Sequence, residues 1–463
     1  MRIKELALDL SPLRAGGPLG RVLAARVLAL LAIGLTSVGV VVQVYGQTGS
    51  SAQVGLVSLV LASGLLLGFL AGGVLADRRD RKGLILVGSG WAVVTFAVLA
   101  VNAAADRPAL WVVYVTGALF GFTEGVAETA LTAVLPALVS EEHLPATGAL
   151  VTVTTTLGAI AGPMLGGLLI AGPGLATTFA LAAVGTAVTT LLLTGLDRMP
   201  PTGAEAPGPS GAQAPGAEEA SDGPPDAPAD RSGPGSGGAG AVADLREGFR
   251  FVARHRIVSA VLVVDLCVAV FAAPQALFPE LAERRLGGGP ELVGLLTTAP
   301  MIGAALASLT SGWTGRTQRH WRVLCAAVAG WGLACIGFGL SPWLGLGLVF
   351  LALGGVADTI SEMMRRTLLM THTPDPLQGR VSSLWLAQAM TAPALGGVIA
   401  GLASSAVGPA AAVAGGGALC LAALAAVALM YRQLWRNEGQ SVTTRPDNDE
   451  VGRGDNRGAT ASA

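Results

Sequence analysis

Long apolar runs separated by short polar segments set the pattern of this chain. A helix of about 20 apolar residues crosses the hydrocarbon core of a bilayer, and twelve runs reach about that length. They lie near residues 22–44, 54–76, 84–102, 109–137, 145–171, 174–196, 257–279, 292–313, 322–340, 343–368, 381–403 and 408–431. The pattern predicts an all-α polytopic membrane protein with 12 transmembrane helices, six on each side of a polar central segment.

The central segment differs in composition from both halves. Residues 200–240 hold nine Pro and ten Gly, a composition that buries too little apolar surface to fold, so we predict a disordered cytoplasmic linker. Over residues 242–255 periodic apolar residues return with Arg246, Arg250 and Arg254, which is typical of an amphipathic helix on the membrane surface and equally of a solvated helix. The predicted organisation is a cytoplasmic N-terminal segment at 1–21, a six-helix half at 22–196, a linker at 197–256, a second half at 257–431 and a disordered cytoplasmic tail at 432–463.

Composition excludes several classes of protein. Hydrophobic residues make up 52% of the chain and charged residues only 13%, about half the charged share of a soluble domain. The net charge of −1 gives no field to hold nucleic acid, so we expect no nucleic-acid partner. The four cysteines lie in apolar runs without a C-x-x-C pair, so we interpret them as buried apolar residues and expect no metal site.

Basic residues predict the orientation, because loops rich in Lys and Arg stay in the cytoplasm. With both termini inside, the cytoplasmic segments and the inner ends of the adjoining spans together hold 26 of the 29 Lys and Arg residues, and only Arg107, Arg284 and Arg285 lie toward the other side. We therefore expect a multi-pass protein of the cell (plasma or inner) membrane, surrounded by the lipid bilayer, with both termini cytoplasmic.

The two halves repeat each other. The sequence Val-Gly-Leu at 54–56 recurs at 293–295, and Gly-Pro-Met-Leu-Gly-Gly at 162–167 recurs as Ala-Pro-Ala-Leu-Gly-Gly at 392–397. Spans 2 and 8 are therefore equivalent, as are spans 5 and 11. Internal repeats of this kind are typical of transporters, whose substrate path runs between the copies.

The loop after span 2 places a small residue, which we expect to pack closely, and an acid at a helix end before a basic cluster. Such a group can latch two helix ends on the cytoplasmic side, and the alternative is a positive-inside loop without a gating role. Its arrangement resembles the signature of the major facilitator superfamily, although Asp80 replaces the usual glycine. The residues of this predicted cytoplasmic gate are Gly73, Asp77, Arg78, Arg81 and Lys82.

Span 5 matches the antiporter signature of the superfamily, except that the first glycine is displaced to Gly148. Small residues at four-residue spacing let two helix backbones approach closely, and a proline bends the helix. We expect the motif to close the cytoplasmic end against leak, and the resemblance implies export; packing without directionality is the alternative. The motif consists of Gly158, Gly162, Pro163, Gly166 and Gly167.

A closer resemblance covers nearly the whole chain outside the linker and tail. Asp-Leu-Ser-Pro-Leu at 9–13, Gln-Val-Gly-Leu at 53–56, Thr373-Pro374 with Gly379-Arg380, and Leu384-Trp385 with Ala387-Gln388 are similar to the enterobactin exporter branch of the superfamily. Members of this branch expel siderophores or other amphipathic molecules in exchange for protons. In that branch an acidic residue also stands where this chain has Asp80. The resemblance implies two six-helix halves whose helices 1, 4, 7 and 10 line a central cavity.

Charged residues inside these four spans are costly in the bilayer and usually face a cavity or a partner. The element G-x-x-acid-x-x-x-Glu occurs in span 4 and again in span 10, which places both acids of each copy on one helix face. The candidates for proton coupling or for lining the substrate cavity are Glu124, Glu128, Asp265, Asp358, Glu362, Arg26 and Arg366.

We predict that Glu124 and Asp358, near mid-membrane, are the carboxyl groups that bind and release protons, since no histidine lies within a predicted span. The alternative is that salt bridges of these acids to Arg26, Arg365 or Arg366 lock helices together. This salt-bridge alternative is strongest for Glu128 and Glu362.

The sequence indicates the energy source and the substrate of transport only in part. No G-x-x-x-x-G-K-S/T phosphate loop occurs, so we expect no ATP and no cofactor, with the proton gradient as the driving force. By resemblance the small amphipathic substrate is a siderophore. Because acids in the cavity disfavour an anionic tris-catecholate, a multidrug or antibiotic (macrolide-like) efflux carrier remains open. A lipid-modifying membrane enzyme lacks a recognisable catalytic motif, and an uptake carrier is opposed by the span 5 signature.

Overall fold

The structure, a computed structural model, describes residues 18–134, 144–195, 239–317 and 319–433. Residues 1–17, most of the predicted linker and almost all of the predicted tail lie outside these ranges. Twelve helical spans long and apolar enough to cross a membrane occur in the described chain, so the predicted twelve-helix, all-α class is confirmed. The helices are Pro18–Thr48, Ser51–Arg78, Arg81–Ala104, Leu110–Val134, Leu144–Ala171 and Leu175–Thr194 in spans 1 to 6, and Arg256–Phe271 continued by Phe278–Arg284, Pro290–Leu309, His320–Leu340, Leu344–His372, Asp375–Val407 and Pro409–Met430 in spans 7 to 12.

The spans alternate in direction, which gives the molecule two faces. The terminal face carries the start of span 1, the turn between spans 2 and 3 and the end of span 12. The distal face carries the opposite ends of the helices. These two faces are defined by the chain itself, whichever way the protein sits in the bilayer.

The repeat seen in the sequence extends to the turns of the distal face. Four glycines in the described chain have positive φ, namely Gly49, Gly174, Gly287 and Gly408. They occupy the turns between spans 1 and 2, 5 and 6, 7 and 8, and 11 and 12. These are two pairs of equivalent turns, and each needs the left-handed backbone that glycine adopts without a Cβ clash.

The two halves pack together through spans 2 and 11 and through spans 5 and 8. Each contact is a glycine crossing in which helix backbones nearly touch. A Cβ on Gly55 would lie 2.7 Å from the carbonyl oxygen of Gly397, and a Cβ on Gly167 would lie 3.0 Å from Cα of Gly294. Gly55 and Gly294 are equivalent in the repeat, as are Gly167 and Gly397, so the repeated segments meet one another across the interface.

Both glycine crossings lie toward the distal face, because spans 2 and 8 begin there and spans 5 and 11 end there. A further bond joins the halves nearby, where Thr298 Oγ1 donates to the carbonyl oxygen of Ile160 at 3.3 Å. In this conformation the halves are therefore packed against each other at the distal face.

The amphipathic segment before span 7 is a helix, Ala239–Arg254. It packs along the terminal-face end of span 11, where Arg380 pairs with Glu247 at 2.5 Å. A Cβ on Gly248 would lie 3.1 Å from Cβ of Arg380, so the two helices approach closely. Phe251 and Val252 pack on the core of the second half. The linker helix is thus docked on protein, and its position relative to a membrane surface stays a prediction.

Candidate functional site

A cavity of about 200 Å³ lies inside the first half, between spans 1, 3, 4 and 6. Most of its lining is apolar, and its charged groups are Arg26, Glu124 and Glu128. Glu124 and Glu128 share one face of span 4 because they are four residues apart. At about 30 Å³ per water molecule, the cavity has room for a small group of waters around these side chains.

One arginine faces two acids in this cavity. Arg26 Nη2 lies 3.4 Å from Glu128 Oε1, an ion pair that joins span 1 to span 4. Glu124 has no hydrogen bond or ion pair to any side chain in the described part of the molecule, although the charges of Glu128 and Arg26 act on it. Glu124, the carboxyl group predicted to bind protons in the first half, is therefore the acid of this cavity that has no direct partner among the described residues.

The second half holds a buried network around Arg365 of span 10. Its guanidinium pairs with Asp265 of span 7, and both side chains are less than 10% exposed. It also lies 3.6 Å from Asp358, whose side chain is 48% exposed. Gln388 Nε2 donates to Asp265 at 2.7 Å and to the carbonyl oxygen of Leu262 at 3.0 Å. One arginine again serves two acids, and Asp358 is the less constrained of the two.

Glu362 and Arg366 form a separate, exposed pair on span 10. Their side chains are 3.5 Å apart and more than half of the Arg366 side chain is exposed. The Arg366 guanidinium lies over the ring of Trp385 on span 11, 5.5 Å from its centroid. A cation above an indole ring is a favourable contact, so this pair marks the junction of spans 10 and 11.

The structure thus separates the predicted charges into three groups. Arg26, Glu124 and Glu128 share the cavity of the first half, Asp265 and Asp358 share Arg365, and Glu362 pairs with Arg366. The site prediction did not include Arg365 and Gln388. Their signals were present in the sequence: two adjacent arginines one turn beyond the acids of span 10, and a glutamine in the middle of an apolar span. Whether any acid exchanges protons stays a prediction.

A side-chain contact of the predicted gate motif joins the ends of spans 3 and 6 within the first half. Lys82 Nζ donates to the carbonyl oxygen of Thr194 at the end of span 6, at 2.8 Å. Asp80 caps span 3 by accepting a hydrogen bond from the backbone nitrogen of Lys82 at 3.2 Å, which accounts for an acid where the wider family has glycine. A Cβ on Gly73 would meet nothing within 4 Å, so the expected close packing at Gly73 is absent. The side chains of Asp77 and Arg78 lie outside the described residues.

The glycine motif of span 5 packs as closely as its spacing predicts. Gly158, Gly162 and Gly166 face span 1, where a Cβ on Gly162 would lie 2.8 Å from Cα of Gly34. Gly167 instead faces span 8 of the other half. These contacts lie toward the distal face, so the expectation that the motif closes the terminal, predicted cytoplasmic, end does not hold in this conformation. The reason is that Gly162 to Gly167 occupy the distal half of span 5.

Comparison with known proteins places the chain in a family. The profile described as Major Facilitator Superfamily matches residues 22–283 and again 266–457. The chain belongs to the major facilitator superfamily. It is therefore a multi-pass membrane transporter and not an enzyme, and the two overlapping matches agree with the internal repeat.

Curated relatives and solved structures refine this assignment. The chain is 33% identical to the enterobactin exporter EntS of Shigella boydii serotype 18 over 445 residues, which covers 96% of this chain and 99% of the relative. It is 32% identical to EntS of Escherichia coli strain SE11 over the same length. The fold resembles the nucleoside transporter NupG (TM-score 0.65, 13% identity, 89% of this chain and 99% of that chain). It also resembles the peptide transporter POT in complex with sulfate (TM-score 0.66, 14% identity, 90% and 95%).

The buried network makes a prediction for this superfamily member. Replacing Arg365 by Met leaves Asp265 buried without its counter-charge, and breaking such a pair costs about 3–5 kcal/mol. Replacing its neighbour Arg366 by Met removes an exposed pair worth less than about 1 kcal/mol. We expect thermal unfolding of the purified protein in detergent to show a clearly lower midpoint for Arg365→Met only.

The double variant Asp265→Leu with Arg365→Met should recover most of that loss, because it removes both buried charges together. Equal midpoints for Arg365→Met and Arg366→Met would show that the Arg365 network does not stabilise the second half.

Proposed function

We propose that this protein is a secondary exporter that moves a small amphipathic molecule, a siderophore, out of the cell in exchange for protons. The observation that carries the proposal is the similarity to enterobactin exporters, which extends over 96% of this chain and 99% of the relative. A shared length of this kind includes both halves and the interface between them.

Alternating access is the mechanism that we propose for transport. The two halves are equivalent in sequence and in their turns, and they are packed together by two symmetric glycine crossings at one face. Such a pair of rigid halves can rock about a site between them, opening one face while closing the other. The present conformation corresponds to the state whose distal face is closed.

The orientation of the protein in the membrane decides which face is cytoplasmic and which is external. We propose that the terminal face is cytoplasmic, since the predicted inner segments and the inner ends of the adjoining spans carry 26 of the 29 basic residues, and that the protein lies in the plasma or inner membrane. The distal face is then external. The conformation described above is closed toward the outside.

Protons supply the energy in this proposal. A proton that moves with the membrane potential releases about 2.3 kcal/mol per 100 mV, which suffices to build a substrate gradient without ATP or a cofactor. Glu124 and Asp358 are the proposed proton sites. Glu124 lacks an ion-pair partner among the described residues, and Asp358 is the more exposed acid of the Arg365 network.

A multidrug or antibiotic efflux carrier is the second candidate, and one observation favours it. In each half a cluster holds one arginine and two acids, so each cluster carries an excess negative charge when its acids are ionised. A deprotonated catecholate is repelled by such clusters, whereas a neutral or cationic amphipathic compound is not.

A strain comparison decides between the two candidates. We expect deletion of the gene to lower the amount of siderophore in the medium of iron-starved cells, with restoration by the intact gene. Siderophore should accumulate inside the deletion cells at the same time. Unchanged secretion together with lowered tolerance to macrolides would refute the siderophore proposal and support the second candidate.

Proton coupling has its own test in inside-out membrane vesicles. We expect Glu124→Gln and Asp358→Asn to reduce uptake of enterobactin driven by a pH gradient to the level seen without a gradient, because neither amide binds a proton. Exchange of labelled for unlabelled enterobactin across the membrane should persist, since it needs no net proton movement.

Asp106→Asn is the matched control, because Asp106 is an exposed acid in the turn between spans 3 and 4. Full gradient-driven uptake by both Glu124→Gln and Asp358→Asn proteins would exclude these two residues as the proton sites.

A further inference from the structure

A buried carboxylate joins the two halves at the distal face. Glu280 of span 7 accepts a hydrogen bond from Ser51 Oγ at 2.5 Å and from Ser404 Oγ at 2.8 Å, and all three side chains are buried. Ser51 begins span 2 in the first half, whereas Ser404 lies near the end of span 11 in the second. Glu280 is not among the charged residues assigned above to either cluster.

A break in span 7 places Glu280 at this point. The helix Arg256–Phe271 stops, a 3-10 turn follows at Pro274–Leu277, and a second helix runs over Phe278–Arg284. Trp331 Nε1 donates to the carbonyl oxygen of Ala272 at 3.0 Å, which satisfies a backbone group that the break releases. Span 1, the equivalent in the first half, is one unbroken helix. The break is thus a departure from the repeat that carries the carboxylate toward span 2.

The partners of Glu280 differ in the half to which they belong. Arg284 donates to the other carboxylate oxygen at 3.0 Å from one turn further along the same helix. Ser404 and Arg284 therefore move with Glu280 when the halves separate, and Ser51 does not. A buried carboxylate needs its hydrogen bonds to offset the loss of water, so separating the halves removes one of these bonds.

The backbone packing around Ser51 leaves little room for water. A Cβ on Gly401, one turn before Ser404, would lie 2.5 Å from the backbone of Ser51 and Ala52. The hydroxyl of Ser51 is therefore held against Glu280 by the same close approach of spans 2 and 11 that forms a glycine crossing.

We infer that Glu280 is a latch of the transport cycle: its bond with Ser51 holds the distal face closed, and opening that face exchanges the bond for water. The inference rests on the proposed alternating-access cycle, in which the halves separate at the distal face. In this role Glu280 is a positioning residue, which sets the balance between the closed and open states without contacting the substrate.

The two serines provide a matched test. Ser51→Ala and Ser404→Ala each remove one buried hydroxyl from the same carboxylate, but only Ser51→Ala removes a bond between the halves. Spin labels at Asp106→Cys and Leu340→Cys, in a background without the four native cysteines, report the separation of the halves at the distal face.

We expect Ser51→Ala to shift the label distances toward a longer, open population, raising the ratio of open to closed states by about tenfold or more. Ser404→Ala should leave the ratio near that of the parent protein. Thermal unfolding of both variants shows whether each remains folded, and similar midpoints would leave the distance as the discriminating measurement.

Two results overturn the latch. If both variants open the distal face equally, the hydroxyls only solvate Glu280. If neither opens it, the bond between the halves does not control the closed state. The distances are measured without substrate or pH gradient, so a failure of the siderophore or proton proposal leaves this test intact.

Discussion

The close approach of helix backbones at two glycine crossings is the constraint on which the rest of the structure depends. Gly55 meets Gly397, and Gly294 meets Gly167, in positions that the internal repeat makes equivalent. A Cβ on Gly55, Gly167 or Gly294 would lie within 2.7 Å of a backbone atom of the other half, so these three positions admit no side chain without displacing the backbone. The crossings bring the ends of spans 2 and 11 together, and only then can Ser51 reach the carboxylate of Glu280 across the interface.

Apart from Glu280, the charge clusters described above lie within the halves, in contrast to the glycines that join them. The Arg26 cluster connects spans 1 and 4, and the Arg365 network connects spans 7, 10 and 11 through Asp265 and Gln388. Each half is therefore tied internally by ion pairs and meets the other mainly through small residues, serine and threonine. This division fits two rigid bodies that separate at a weakly polar interface.

The sequence predicted what depends on local composition and spacing. Twelve spans follow from apolar length, and the repeat of 54–56 at 293–295 anticipated which segments are equivalent. The family resemblance, based on the ordered short motifs, is confirmed by the match over both halves. Asp80 looked like a departure from the family pattern, and the structure gives it a local function as the cap of span 3.

What the sequence could not predict depends on how distant segments meet. The predicted span 7 placed Glu280 at its end, where an acid loses little hydration free energy. The break at 274–277, which buries this acid, could not be inferred from an apolar run. The helices that the span 5 glycines contact were also out of reach, since spacing gives the packing face but not the neighbouring helix. Their place in the distal half of span 5 was already evident from the predicted bounds, so assigning them to the terminal end was an error of interpretation. Ion pairing is also non-local: Arg365 pairs with Asp265, a hundred residues away, whereas Glu362 pairs with Arg366.

In the proposed transport cycle the halves move as rigid bodies, so that one face opens as the other closes. Distances between spin labels on both faces test this directly, with one pair at Asp106 and Leu340 on the distal face and another at Arg79 and Arg319 on the terminal face. When substrate and pH are varied, we expect the distal distance to lengthen as the terminal distance shortens. Distances that lengthen together, or a terminal distance that stays constant while the distal face opens, would contradict it.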